Sequence, residues 1–224
     1  DTWEEEAILL PQDGAESDAF GFAVALDGDT IVITAHLDDN ANGVNSGSAY
    51  VFIRNGDTWE EEAKLLPRDG AAYDQFGSAV ALDGDTIVIT STSDDNDNGY
   101  DSGSAYVFIR NGDTWEEEAN LLPHDGAAGD WFGDAVALDG DTIVITAPYD
   151  DDNGVESGSA YVFSTPLSDL VQPKSPSSSS VPSPISPPPT TYCIASSLLS
   201  AMGTHGWRKP KMGQHLIGLD MQLH

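Results

Sequence analysis

"FGSAVALDGDTIVIT", residues 76 to 90, decides the fold. Its first seven residues alternate small and larger apolar side chains, as a half-buried strand does, and they run into Asp83-Gly84, a dipeptide suited to a tight hairpin. "TIVIT" then reads as a second strand, β-branched throughout and buried on both faces. No stretch of helical periodicity competes with this reading.

The same text recurs along the chain. "DGDTIVIT" stands at 27 to 34, 83 to 90 and 139 to 146, the Phe-Gly pairs at 20, 76 and 132, and the tryptophans of "DTWEEEA" at 3, 59 and 115, a period of 56 residues. "SGSAYVF" begins at 46, 102 and 157, so the third copy has lost one residue from the acidic loop before it. "SAYVFIR" alternates as a third strand, and Asn111-Gly112 turns it into a fourth, "TWEEEANLL". Alternation along that fourth strand sets Glu61 on the side of Trp59 and Ala63, an inward carboxylate suited to a sheet's outer edge. Arg54 and Arg110 are expected to pair with Asp57 and Asp113 across the Asn-Gly turns, an exposed contact of about 0 to 1 kcal/mol. The phenylalanines and repeated tryptophans read as core or packing between repeats.

These residues carry a resemblance. "DQFGSAVALDGD" followed by a short apolar strand and "GSAYVF" resembles the FG-GAP repeat of the integrin α-subunit propeller. The resemblance covers residues 1 to about 164. It implies an all-β fold of tandem four-stranded antiparallel blades in a β-propeller, an extracellular or cell-surface position, calcium binding and protein recognition. The second half of the signature has decayed to "TAH", "TST" and "TAP". The family's calcium loop, of D-x-D-x-D-G type between the first two strands, is here only a two-residue turn, so the inherited metal site is absent. Three units are fewer than the 4 to 8 blades of closed propellers. They form an open arc, a piece of a larger ring, or a ring completed by another copy, and a chain beginning at Asp1 within a repeat fits a piece of a longer protein.

A different loop holds the oxygen ligands. Asp94, Asn96, Asn98 and Asp101 surround Gly99 at alternate or near-alternate positions, like the first half of an EF-hand loop. Repeat 1 offers Asp38, Asn40 and Asn42; repeat 3 offers Asp150, Asp152 and Glu156. Hard oxygen ligands without sulfur or imidazole suit Ca²⁺. Asn and Asp beside Gly are equally the chemistry of solvated turns, and the bidentate glutamate that ends an EF-hand loop is missing. Strand order puts these loops on one rim with the crossings between repeats. Trp131, Tyr73, Tyr100 and Tyr149, which vary between repeats, belong to that rim and are the expected partner-binding residues.

Charge narrows the partners. Of 38 acidic residues 36 lie in the first 165 positions against four basic ones, Arg54, Lys64, Arg68 and Arg110, a net of −32. Such a surface repels nucleic acid and anionic lipid and favours cations, basic proteins or neutral glycans. No apolar run is long enough to insert in a membrane, and the lone Cys193 forms no internal disulfide. His36 and His124 occupy unlike positions in different repeats, so no catalytic triad is readable and the chain reads as a non-enzyme. Residues 165 to 192 are a Ser/Pro-rich linker, and 193 to 224 read as a disordered tail whose Arg208, Lys209 and Lys211 can dock on the acidic blades. The expected function is a binding or adhesion module for a protein or glycan on the acidic rim, calcium-dependent if the loops hold metal. The alternatives are a non-catalytic scaffold of a larger secreted enzyme, or a truncated fragment without independent function.

Overall fold

A computed structural model describes residues 2–165; the linker and tail, Thr165 apart, lie outside the described residues. The described residues are all-β and form three antiparallel sheets, one per repeat. The first runs in the order β1 (Val24–Asp27), β2 (Thr30–Ala35), β3 (Ser48–Asn55), β4 (Thr58–Leu65). The second repeats it as β5 (Val80–Asp83), β6 (Thr86–Ser91), β7 (Ser104–Asn111) and β8 (Thr114–Leu121). The third has three strands, β9 (Val136–Asp139), β10 (Thr142–Ala147) and β11 (Ser159–Ser164). These are propeller blades. Their short inner strands lie side by side, β1 against β5 and β5 against β9, and the charged strands are outermost.

Local chemistry explains the elements. Asp27 pairs with Thr30, so the hairpin loop is Gly28-Asp29, with Gly28 at φ +54°; a glycine at the first loop position takes the positive φ that matches strand twist. The inner strands start four residues later than the alternation suggests, because residues 76 to 79 form the turn that enters the blade.

The outer strand departs from simple alternation. Val51 faces Ala63 but Phe52 faces Glu61, so Glu62 is the extra residue of a β-bulge, and Val107 and Phe108 show the same shift. Trp59 and Ala63 therefore lie on opposite faces, not on one. The bulge aims Glu62 at the next blade, where its Oε1 accepts from Arg110 at 2.6 Å and its Oε2 from the Trp115 indole at 3.0 Å. Arg110 thus pairs with Glu62, and Arg54 with Glu6 at 2.5 Å; the expected pairs with Asp57 and Asp113 give way because each arginine also stacks over the tryptophan opposite it, Trp59 or Trp115, at 5.6 Å.

Blades are joined sideways. Val32, Val51, Leu65, Phe76, Ile87, Ile89 and Phe108 are buried between blades 1 and 2, and Val88, Val107, Phe132 and Ile145 between blades 2 and 3. At each joint the Phe-Gly pair docks on the preceding blade: Phe76 N–H donates to Ser46 O at 2.9 Å, and Phe132 N–H to Ser102 O at 3.0 Å. A Cβ on Gly103 would lie 2.0 Å from Phe132 O at φ +84°, whereas one on Gly112 would meet nothing within 4 Å.

Gly103→Ala is therefore expected to cost about 2–4 kcal/mol in a urea melt and Gly112→Ala about 1 kcal/mol, the strain of a left-handed alanine alone. Equal losses would contradict the close docking.

Candidate functional site

The loops between the second and third strands and the crossings between blades meet on one rim, as strand order requires. Tyr73 N–H donates to Val44 O at 2.9 Å and Gln75 N–H to Asn45 O at 3.2 Å; one repeat on, Gly129 N–H donates to Tyr100 O at 2.9 Å.

The acidic loops are organised from within. Asp38 and Asp94 are buried. Asp94 Oδ2 accepts from Ser104 Oγ at 2.5 Å and from Asn96 Nδ2 at 3.4 Å, and its Oδ1 from Tyr106 OH at 3.4 Å. Asp38 has the same partners in Ser48, Asn40 and Tyr50. Asn40 and Asn96 turn their amide nitrogens to Gly47 O and Gly103 O, and their Oδ1 atoms accept from Asn42 N–H and Asn98 N–H at 2.8 Å. Asn42 and Asn98 reach away to Pro67 O and Pro123 O on the adjoining crossings. In repeat 3 Asp150 is held by Tyr161, and its Oδ1 accepts from Asp152 N–H at 2.8 Å. Asp101 and Glu156 stand apart, each lining a cleft. Among the described residues no three His, Cys, Asp or Glu side chains converge as a metal cage.

One substitution separates the repeats. In blade 1 the Lys64 ammonium lies 2.7 Å from Asp13 Oδ2 and 3.0 Å from Asp38 Oδ2, over the Tyr50 ring. Burial works against that charge, but its hydrogen bonds to Asp13, Tyr50 and Asp38 keep the lysine above its ordinary pKa. In blade 2 Asn120 takes that place and donates to Asp69 at 3.0 Å. Burial there, with the charge of Asp69, pushes Asp94 upward.

Two shallow clefts flank these loops. Tyr73 and Tyr100 line one of about 400 Å³, together with Asp74, Gln75, Asp95 and Asp101. Trp131 and Tyr149 line the other, of about 360 Å³, with Asp130, Asp151, Val155 and Glu156. The clefts are repeat equivalents: Gln75 corresponds to Trp131, Ser93 to Tyr149, Tyr100 to Val155 and Asp101 to Glu156. Trp131 and Tyr149 are each 41% exposed and meet edge to face, 4.9 Å between centroids. All four partner-binding candidates thus fall in two clefts.

The walls of these clefts are left-handed. Tyr73, Gln75, Asp101, Trp131 and Glu156 have φ between +48° and +74°, a conformation costing about 1–2 kcal/mol for a residue with a side chain, and strain of this kind gathers at ligand sites. Tyr73, Gln75 and Trp131 donate to carbonyls of the adjacent acidic loop, and carboxylates hold the rest of the walls. Asp95 Oδ1 accepts from Asp101 N–H and Asp151 Oδ1 from Glu156 N–H, while Asp74 and Asp130 accept from Ala71 N–H and Ala127 N–H. The site reading of the sequence omitted these aspartates, although Asp18, Asp74 and Asp130, like Asp39, Asp95 and Asp151, recur at fixed places in all three repeats. His36 serves packing, its ring 3.6 Å from Phe22.

Comparison with protein families gives a match to a repeat family. The FG-GAP repeat model fits residues 3–52, 59–108 and 115–163, together more than half of the chain. The chain belongs to the FG-GAP repeat family. A search of curated proteins found no match. In this FG-GAP chain the Phe-Gly pairs at 76 and 132 are the docking points between blades, and the rim clefts lie directly beside them.

Burial and the neighbouring Asp94, Asp95 and Asp69 push Asp74 up to about 6. The folded state therefore binds a proton more readily than the unfolded chain, and Asp74 makes stability rise as pH falls from about 6 toward the ordinary carboxylate value. Asp74→Asn keeps an acceptor for Ala71. It is expected to raise stability at pH 7 by about 1–2 kcal/mol and to flatten that rise, measured by urea midpoints at pH 7 and 4.5.

Proposed function

We propose that this FG-GAP chain is a non-catalytic binding module of the extracellular or cell-surface kind, which holds a protein or neutral glycan ligand in the two aromatic clefts of its rim. The observation that carries the reading is the cleft at Trp131. Two exposed aromatics stand against Asp151 and Glu156 on strained backbone. Aromatic faces stack on sugar rings or cationic side chains, and the carboxylates accept from hydroxyls or basic groups. Stability alone does not favour a tryptophan at a left-handed position where the first repeat has Ala19 and the second Gln75. The net negative charge argues against nucleic acid as the ligand. Among the described residues no helix is long and apolar enough to cross a membrane.

A second reading adds calcium. The exchange of Lys64 for Asn120 leaves the Asp69–Asp94 pair without the cation that blade 1 carries, and a divalent ion is the natural replacement for an ammonium between two carboxylates. Such an ion would tie the acidic loop to the crossing beside the Tyr73 cleft.

Two measurements test these readings. On glycan and basic-peptide arrays, Trp131→Ala with Tyr149→Ala is expected to lose binding ~30-fold or more, as for an aromatic hot spot, while Phe22→Ala, away from the clefts, leaves it unchanged; equal binding by both would remove the clefts from the account. Millimolar Ca²⁺ is expected to raise the melting midpoint over chelator. Asn120→Lys is expected to raise the midpoint without calcium and to abolish the calcium response, and a response kept in that variant would place the ion elsewhere.

A further inference from the structure

The stack leaves apolar surface bare at both ends. In blade 1 Val24 and Leu26 are 64% and 65% exposed, yet their equivalents Val80 and Leu82 pack against blade 1 and Val136 and Leu138 against blade 2. In blade 3 Val162 is 69% exposed, although Val51 and Val107 in the same place are buried under the following blade. The two ends are therefore the two halves of one joint, the joint made twice inside the chain.

The third blade also has a place for a strand that the described residues do not fill. At the joint of blades 1 and 2, Trp115 of the outer strand β8 packs on the cluster of Val51, Ile87 and Phe108 and donates to Glu62. At the joint of blades 2 and 3 the equivalent space is an apolar cavity of about 380 Å³ lined by Val107, Ile109, Glu118, Leu138, Ile143 and Phe163. Each of these is the counterpart, one repeat on, of a residue beside Trp115. Residues 166 to 224 contain no further "TWEEEA".

The chain does carry one more copy. Residues 2 to 10, "TWEEEAILL", match β4 and β8 but pair with no strand, and Trp3 is 103% exposed. They already lie where an outer strand lies against the next blade. Glu6 accepts from Arg54 at 2.5 Å as Glu62 accepts from Arg110 at 2.6 Å, and Gln12 N–H meets Glu61 as Arg68 N–H meets Glu117, both at 2.8 Å. One face of this segment is held, while its backbone pairs with no strand.

We infer that two copies of this chain join head to tail, each adding its 2–10 segment to β11 of the other as the fourth strand, with Trp3 seated in the cavity and its indole donating to Glu118. Strand addition to a bare sheet edge supplies backbone pairing, and alternate side chains supply specificity. The register follows from the complete blades, with Ala7 opposite Val162 and Leu9 opposite Ala160. Three blades lie below the range of closed propellers, and two copies give six, which lies within it. A head-to-tail contact that closes makes a ring and not a filament. The joint also covers Val24, Leu26 and Val162.

Sedimentation velocity of the full chain at 0.15 M salt tests this. The expected particle is twice the 23.7 kDa of one chain, and Trp3→Ala is expected to weaken its association by at least ~30-fold. Trp3 is exposed in the single chain, so that variant retains the circular dichroism of the wild type. In a Cys193→Ser background, Ala7→Cys mixed with Val162→Cys is expected to oxidise to a covalent heterodimer, while Ile8→Cys with Val162→Cys is not. A monomer at 100 µM, open polymers, a dimer indifferent to Trp3→Ala, or cross-linking equal for Ala7 and Ile8 would each overturn the inference.

Discussion

The structure depends on the seat of one Phe-Gly pair on the preceding blade. Phe76 offers its backbone to Ser46 and Gly47, and its ring meets Tyr106 and Phe108 edge to face at 5.5 and 6.1 Å. Phe132 repeats this against Ser102, Gly103, Tyr161 and Phe163. Each phenylalanine is also buried against the preceding blade, Phe76 in the cluster of Val32, Val51 and Leu65 and Phe132 in that of Val88 and Val107, so a blade cannot shift relative to its neighbour without losing this packing and the backbone pairing together. A sheet of four strands buries too little by itself, and in repeat proteins the joint between neighbours carries much of the stability. The joint also fixes where the rim loops stand, since Ser46-Gly47 and Ser102-Gly103 are their last residues.

Function on such a scaffold comes from differences between repeats that the joint leaves free. Lys64 against Asn120 changes the charge balance of a buried aspartate. Gln75 against Trp131 and Ser93 against Tyr149 convert one cleft pattern into another without altering the backbone, because both left-handed positions donate their N–H to the adjacent acidic loop, Gln75 to Asn45 O and Trp131 to Asp101 O. The clefts therefore vary in chemistry while keeping one shape.

The blades were legible because their physics is local. Period-2 alternation, β-branched runs and Asp-Gly and Asn-Gly turns announce strands and hairpins, and three copies agree. The bulge at Glu62 was not legible, since it is set by Arg110 and Trp115 more than 45 residues away, and with it went the expected pairing of Arg110 with Asp113. Repeat identity suggested that Trp3 packs like Trp59 and Trp115, but it stands exposed because no strand lies beside it. The rim aromatics were visible as positions that break the repeat. The acidic loop looked like a ligand set because alternate Asp and Asn residues also build Asx turns; the structure spends Asn40, Asn42, Asn96 and Asn98 on backbone partners, which spacing alone does not reveal.

The most direct test of the docked-blade account is a nuclear Overhauser spectrum of the full chain. Cross-peaks from the Gly47 α-protons to the Phe76 amide and from the Gly103 α-protons to the Phe132 amide are expected at the strength of neighbouring strands, with both amides slow to exchange. Absent peaks, or rapid exchange at Phe76 and Phe132 while Val88 and Val107 remain protected, would mean that the sheets fold but are not joined in this way.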